Sequence, residues 1–207
     1  MKLILVNPNL AFCQAVDYFF DKLPNVEIVQ GYFEHLPEFD CIVSAANSFG
    51  LMDGGVDAAI IRFFGQQLMT RVQQHILFHY LGEQPVGTSF IIETGNEKHP
   101  YLAHTPTMRA PMEIAHTDNV YSATWAMLLA VREFNKSAER KIERVACSGL
   151  GIGTGRVPYQ QAARQMALAY YHFLAPPKSL DWNIASTRQK RIRYGGDDGL
   201  HIAPEKA

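Results

Sequence analysis

Residues 42–60, IVSAANSFGLMDGGVDAAI, constrain this chain more than any other stretch. They begin as a continuous apolar run and end as the start of a helix. Between lie Asn47, Gly50, Gly54 and Gly55, then Asp57. A strand that breaks into a glycine-bearing loop and turns into a helix places backbone N–H groups at the positive end of a helix dipole. That arrangement favours an anion such as phosphate. Glycine leaves room for close approach of a ligand and tolerates positive φ. The stretch reads as a phosphate-cradling loop with Asn47 and Asp57 beside it. Its alternative is an ordinary βα turn, in which Asn47 ties down the loop through an Asx turn and Asp57 steadies the helix start. It is neither a Walker A loop, since no Gly-Lys pair occurs in the chain, nor a G-x-G-x-x-G fingerprint.

A second glycine loop, Ser148-Gly149-Leu150-Gly151-Ile152-Gly153-Thr154-Gly155, leaves the apolar run at 142–147 and precedes Arg156-Val157-Pro158. It too departs from G-x-G-x-x-G, because Thr154 and Arg156 stand at the third-glycine positions. Two such loops, each between a buried strand and a helix, belong at the carboxyl edge of an open α/β sheet, where ligands bind. Two cradles on one edge suit an extended ligand with a diphosphate, held through uncharged backbone N–H groups.

The rest of the chain alternates. Strands are expected at 3–6, 26–29, 41–45, 88–93, 101–104 and 142–147. Helical faces are expected from Phe12, Val16, Phe19, Phe20 and Leu23, from 56 to 64, and from Leu68, Val72, Ile76 and Leu77. Two more are expected from Val120, Ala123, Met127, Leu128, Val131 and Phe134, and from Ala162, Met166, Ala169, Tyr170 and Phe173. Thr117 is a plausible N-cap, and Pro158 suits a first helical turn. The pattern predicts an α/β fold, a three-layer α/β/α sandwich on a mixed, largely parallel central sheet. Residues 1–174 read as one domain and 175–207 as a C-terminal extension. In that extension Arg188, Lys190, Arg191 and Arg193 read as a solvated basic run before Gly195-Gly196-Asp197-Asp198.

The net charge of −1 over 207 residues leaves no broad basic field, so nucleic acid is not the expected partner. Cys13, Cys41 and Cys147 are too few and too scattered for a disulfide framework, and buried free thiols are expected. His75 and His79 have an i, i+4 spacing but lack the glutamate of H-E-x-x-H, so no metal site is expected, and no cofactor either. No apolar run approaches a membrane span and no signal peptide is evident, so a cytoplasmic protein is expected.

Ser44-Ala45-Ala46-Asn47, with Asp57 of Gly54-Gly55-Val56-Asp57 ten residues after the asparagine, resembles the signature loop of the macrodomain family. Ala103-His104-Thr105 and the loop from Gly151 to Pro158 resemble two further family segments, and the likeness spans roughly 26–174. The resemblance implies binding of ADP-ribose or of an ADP-ribosylated protein, with some members hydrolysing ADP-ribosyl esters. It implies that Asn47 holds the distal ribose and that Asp57 lies near its anomeric carbon, orienting or activating water. Ala46, Gly54, Gly55 and Val56 would line one side of the ligand. Gly149, Gly151, Ile152, Gly153, Thr154, Gly155 and Arg156 would wrap the diphosphate from the other. Where the family usually reads Gly-Asp-Ile, with Asp accepting from the adenine amine, this chain has Gly31-Tyr32-Phe33. Tyr32 would then stack on the base beside Phe33, with weakened adenine selectivity, or Glu34 would supply the acceptor. Met52 and Asp53 stand where the family often has glycine. Three readings follow: an ADP-ribosyl ester hydrolase, a non-catalytic ADP-ribose reader, or a binder of another nucleotide diphosphate.

Overall fold

The computed structural model describes residues 1–192. Arg193 and the Gly195–Asp198 segment lie outside the described residues. Six strands are present: β1 (Lys2–Asn7), β2 (Val26–Gln30), β3 (Cys41–Ser44), β4 (Phe90–Glu93), β5 (Tyr101–His104) and β6 (Arg144–Cys147). Six helices accompany them: α1 (Leu10–Phe20), α2 (Gly55–Phe64), α3 (Gln67–Tyr80), α4 (Asn119–Ser137), α5 (Tyr159–Leu174) and α6 (Trp182–Ile192). A 3-10 turn covers Phe33–His35.

The sheet order is β2-β1-β6-β3-β5-β4. All pairings are parallel except β4–β5, which is antiparallel, so the sheet is mixed and largely parallel. Alternation along each strand splits the core in two. Leu3, Leu5, Cys41, Val43, Val145 and Cys147 face the layer of α1, α4 and α5. Ile4, Val6, Ile42, Leu102 and Ala146 face the layer of α2 and α3. The three-layer α/β/α sandwich is therefore present. All three cysteines are buried and free. Among the described residues no helix is long and apolar enough to cross a membrane.

Several local expectations are corrected. The cap position of α4 is Asp118, which makes no side-chain cap; Thr117 stands one residue before it, its hydroxyl oxygen accepting from the Asn119 N–H at 3.3 Å and its hydroxyl donating to the Ile114 carbonyl at 2.8 Å. Pro158 is the extended residue before α5, not part of its first turn. Leu77 is 65% exposed, pointing away from the core that holds Leu68, Val72 and Ile76. Beyond residue 174 the chain forms α6, because Asp181 accepts from the Ile184 N–H at 2.8 Å and starts a helix there. Its far end is held by Arg164, which donates to the carbonyls of Arg191 at 2.6 Å and Ile192 at 2.5 Å. Ile192 packs with Tyr121 and Ala169, so part of the C-terminal extension lies against α4 and α5.

Candidate functional site

The strand order brings the two glycine loops together. β3 and β6 are neighbours and parallel, so the loops leaving their carboxyl ends run side by side. The first loop closes on α2, whose N-cap is Gly54 with no side-chain cap. The first N–H groups of α2 have no intrahelical partner, and Gly55, Val56 and Asp57 of that turn line the space between the loops. Gly55 takes φ +55, a left-handed conformation that favours glycine. A Cβ on Gly54, Gly55 or Gly153 would meet nothing within 4 Å, whereas one on Gly155 would lie 2.5 Å from the Gly151 carbonyl oxygen. Gly54, Gly55 and Gly153 therefore border open space, while Gly155 is fixed by the fold of its own loop.

That space is a cleft with two compartments. One, about 160 Å³, is lined by Ala46, Asn47, Gly54, Asp57, Thr107, Gly151, Thr154 and Gly155 among others. The other, about 370 Å³, is lined by Asn7, Tyr32, Phe33, Glu34, Arg62, Ser148 and Ile152 among others. Gly55, Val56, Gly149 and Gly153 line both, so the glycine loops form the waist between them. The wider compartment collects the ends of β1, β2 and β6, and the narrower one the ends of β3 and β6 with the segment after β5.

Asp57 sits in the first turn of α2, buried, with its Oδ1 accepting from the Ser44 hydroxyl at 2.6 Å. Burial pushes its carboxyl up to about 7, and the Ser44 hydrogen bond pulls the other way without offsetting it. Asn47 is also buried, and its side chain is engaged with its own loop. Its Oδ1 accepts from the N–H groups of Phe49 and Leu51 at 3.1 and 3.3 Å, and its Nδ2 donates to the Leu51 carbonyl at 2.8 Å. The Asx-type anchoring is thus present. An amide NH₂ carries two donors, so one N–H of Asn47 remains for the cleft. The loop is further laced to the segment after β5, where the Ser48 N–H donates to the Met108 carbonyl at 3.2 Å.

Fourteen residues were expected to line a ligand or act on it, together with Asp57, and the structure sorts them. Tyr32 and Phe33 reach the wider compartment, Tyr32 half exposed and Phe33 buried. Ile152 lines it from the second loop. Arg156 lines neither compartment: its backbone takes φ +52 and its exposed side chain reaches Glu113 at 3.9 Å. Met52 is buried with its N–H against the Met69 sulfur at 3.4 Å, while Asp53 borders the narrow compartment from an exposed position.

Sequence reasoning left Ser44 without a role, although it opens the quoted motif. Only the pairing of β3 beside α2 shows that its hydroxyl meets Asp57. Ser148, Asn7, Arg62 and Thr107 were also missed, because nothing in their local sequence separates them from ordinary polar residues of a strand end, a helix or a loop. Two buried polar atoms of the wider compartment, Glu34 Oε2 and Ser148 Oγ, lack hydrogen-bond partners. Among the described residues no group of three or more His, Cys, Asp or Glu could hold a metal ion.

The Macro domain family model matches residues 43–166, and the chain belongs to that family. An uncharacterised protein of Aquifex aeolicus is 33% identical over 158 residues, covering 76% of this chain and 86% of its own. The macrodomain of Mycobacterium tuberculosis DarG superposes with a TM-score of 0.54 at 22% identity, covering 70% of this chain and 88% of that one. A mutant Oceanobacillus iheyensis macrodomain with ADPR superposes at 0.59 and 18% identity, covering 78% and 88%. At these identities the solved structures speak for the fold.

Proposed function

We propose that the cleft binds ADP-ribose and hydrolyses ADP-ribosyl esters, on a modified protein or as an O-acyl-ADP-ribose. The observation that carries this reading is the two-compartment cleft with a glycine waist. A ligand with a planar base at one end, a diphosphate in the middle and a ribose at the other matches its order of chemistry. The base would enter between Tyr32, Phe33 and Ile152, with the diphosphate over the N–H groups of α2 and the second loop. The distal ribose would rest beside Asn47 and Asp57. The ADPR-holding macrodomain of Oceanobacillus iheyensis, similar in fold, supports the same ligand class.

The chemistry assigned to the polar compartment is proton transfer. In this reading Asp57 takes a proton from the attacking water or from a ribose hydroxyl, and Ser44 fixes the orientation of its carboxylate. A carboxyl titrating near 7 is partly ionised at neutral pH and basic enough to accept that proton. The remaining donor of Asn47 would hold the ribose in reactive geometry. Incubation with an ester-linked mono-ADP-ribosylated protein tests the reading through released ADP-ribose. One observation favours the alternative, a reader without turnover: most of the Asn47 amide is committed to its own loop. ADP-ribose binding by calorimetry with no release from the ester would establish that alternative.

A further inference from the structure

A second cavity lies at the far end of α5 from the cleft. From Tyr159, at the start of α5, to His172 the rise is about 20 Å. The cavity, about 260 Å³, is lined by His172, Ala175 and Pro177 from α5 and its exit, and by Asn183, Ile184, Thr187, Arg188 and Arg191 from α6. Ile184, Thr187, Arg188 and Arg191 stand at i, i+3, i+4 and i+7, so they form one stripe of α6. The buried residue of α6 is Ile192; this stripe, with Ile184 and Arg188 half-buried and Thr187 and Arg191 exposed, borders the cavity with two guanidinium groups and a hydroxyl.

Among the described residues no carboxylate is paired with those charges. No acidic residue lines the cavity, and neither Arg188 nor Arg191 has a carboxylate partner among the described residues. Arg188 rests over the Trp125 ring at 5.5 Å, which steadies it. The same two cations bear on His172, which is buried and shares a 3.0 Å hydrogen bond with the Tyr121 hydroxyl. Burial and the fields of Arg188 and Arg191 lower His172 to about 4, so its ring is neutral and adds no third charge. The helix itself is fastened by Arg164 at its end, so the two arginines are presented from a docked element.

We propose that this cavity is an oxyanion site for a phosphate group, independent of the glycine-loop cleft. Arg191 and Arg188 supply forked N–H donors, and Thr187 and Asn183 supply neutral ones. Guanidinium forks match phosphate geometry in a bidentate way that a lysine cannot. The shared chemistry is a phosphate oxyanion, whether it comes from a free small phosphate or from the backbone of a nucleic acid.

The test uses the full chain and inorganic phosphate, with the ring resonances of His172 followed by NMR. A bound phosphate offsets the two arginine charges, so His172 should titrate at higher pH in phosphate than in chloride of equal ionic strength. Saturable shifts in the millimolar range are expected. Arg191→Gln should weaken phosphate binding on the order of tenfold, and Arg188→Lys, which keeps the charge but not the fork, by less. Both should leave ADP-ribose binding in the cleft unchanged, so failure of this site and failure of the cleft reading are distinguishable. A short single-stranded oligonucleotide that displaces phosphate and loses affinity on Arg191→Gln identifies a nucleic acid backbone. Phosphate binding without such displacement identifies a small phosphate. A linear, non-saturating response, or an Arg191→Gln protein of unchanged Tm that still shifts like the wild type, overturns the proposal.

Discussion

Asp57 shows how one buried carboxyl couples stability to chemistry. Its folded value, about 7, lies above the ordinary carboxylate range, so between roughly pH 4 and 7 the folded state holds a proton that the unfolded chain has released. Its contribution to stability therefore falls as pH rises through that window and is level above it. Asp57→Asn keeps an acceptor for Ser44 and removes the titration. It should unfold at a higher urea midpoint than the wild type at pH 8, by at least ~1 kcal/mol, with little difference near pH 4. Equal midpoints at both pH values would contradict the buried carboxyl. If Asp57 is the base, ester hydrolysis by the wild type should rise with pH through about 7. Asp57→Ala should cut turnover on the order of a hundredfold, while ADP-ribose affinity stays within about tenfold, because the interaction belongs to the transition state. Its Tm, read alongside, shows that the variant is folded. Glu34 carries a second prediction. Tyr32 in place of the family aspartate implies weak reading of the base, yet Glu34 lines the same compartment and its buried Oε2 has no hydrogen-bond partner. An unanswered buried acceptor is costly, and the adenine amine would answer it. The inosine analogue of ADP-ribose should therefore bind at least tenfold more weakly than ADP-ribose, or about 1.4 kcal/mol, and Glu34→Ala should abolish that difference. Equal binding of the two by the wild type would restore stacking on Tyr32 as the only recognition of the base.

At the scale of elements, the two glycine loops were legible in the sequence because glycine, apolar runs and helical periodicity are local signals. What those loops touch was not. That β6 lies between β1 and β3 is a long-range outcome of strand pairing, and it alone sets the second loop beside the first. Ser44 meets Asp57 through the path of the loop that joins β3 to α2, which residue spacing alone does not reveal. The α6 helix escaped notice because its stripe along the cavity carries Thr187, Arg188 and Arg191, so no apolar periodicity marks it. Leu77 failed in the opposite sense: it fits the apolar face of α3 by spacing but is left exposed. The glycines themselves divide by element. Gly153 borders open cleft, and its added Cβ would meet no atom, so Gly153→Val should fold with a wild-type Tm and lose ADP-ribose affinity tenfold or more. Gly155 backs onto the Gly151 carbonyl, so Gly155→Ala must move backbone and should lower stability by roughly 1–3 kcal/mol. Thermal melts and calorimetry on the pair check this. A Gly153→Val protein that binds normally would mean the waist is not where the diphosphate lies.

The whole molecule gathers both compartments along one sheet edge. β1 and β2 end at the wider one, β3 at the narrower, and β6 feeds the loop that serves both. With a net charge of −1 the molecule has no general attraction for anions, so affinity must come from local donors and from filling both compartments at once. In the proposed pose AMP, with a base, one ribose and one phosphate, would reach the wider compartment and only the near side of the waist. ADP-ribose adds the second phosphate and the distal ribose. Micromolar binding of ADP-ribose, worth roughly 8 kcal/mol, is expected. At a hundred times its Kd it should stabilise the fold by about 2.7 kcal/mol, seen as a rise in Tm. AMP at the same concentration should give a much smaller rise, because the α2 N–H groups and the Asn47 donor find no partner in it. Calorimetry on the two ligands separates the contributions: ADP-ribose should bind at least tenfold more tightly. If AMP binds as tightly, the narrow compartment contributes nothing to recognition, and a ribose held beside Asp57 for hydrolysis loses its structural basis.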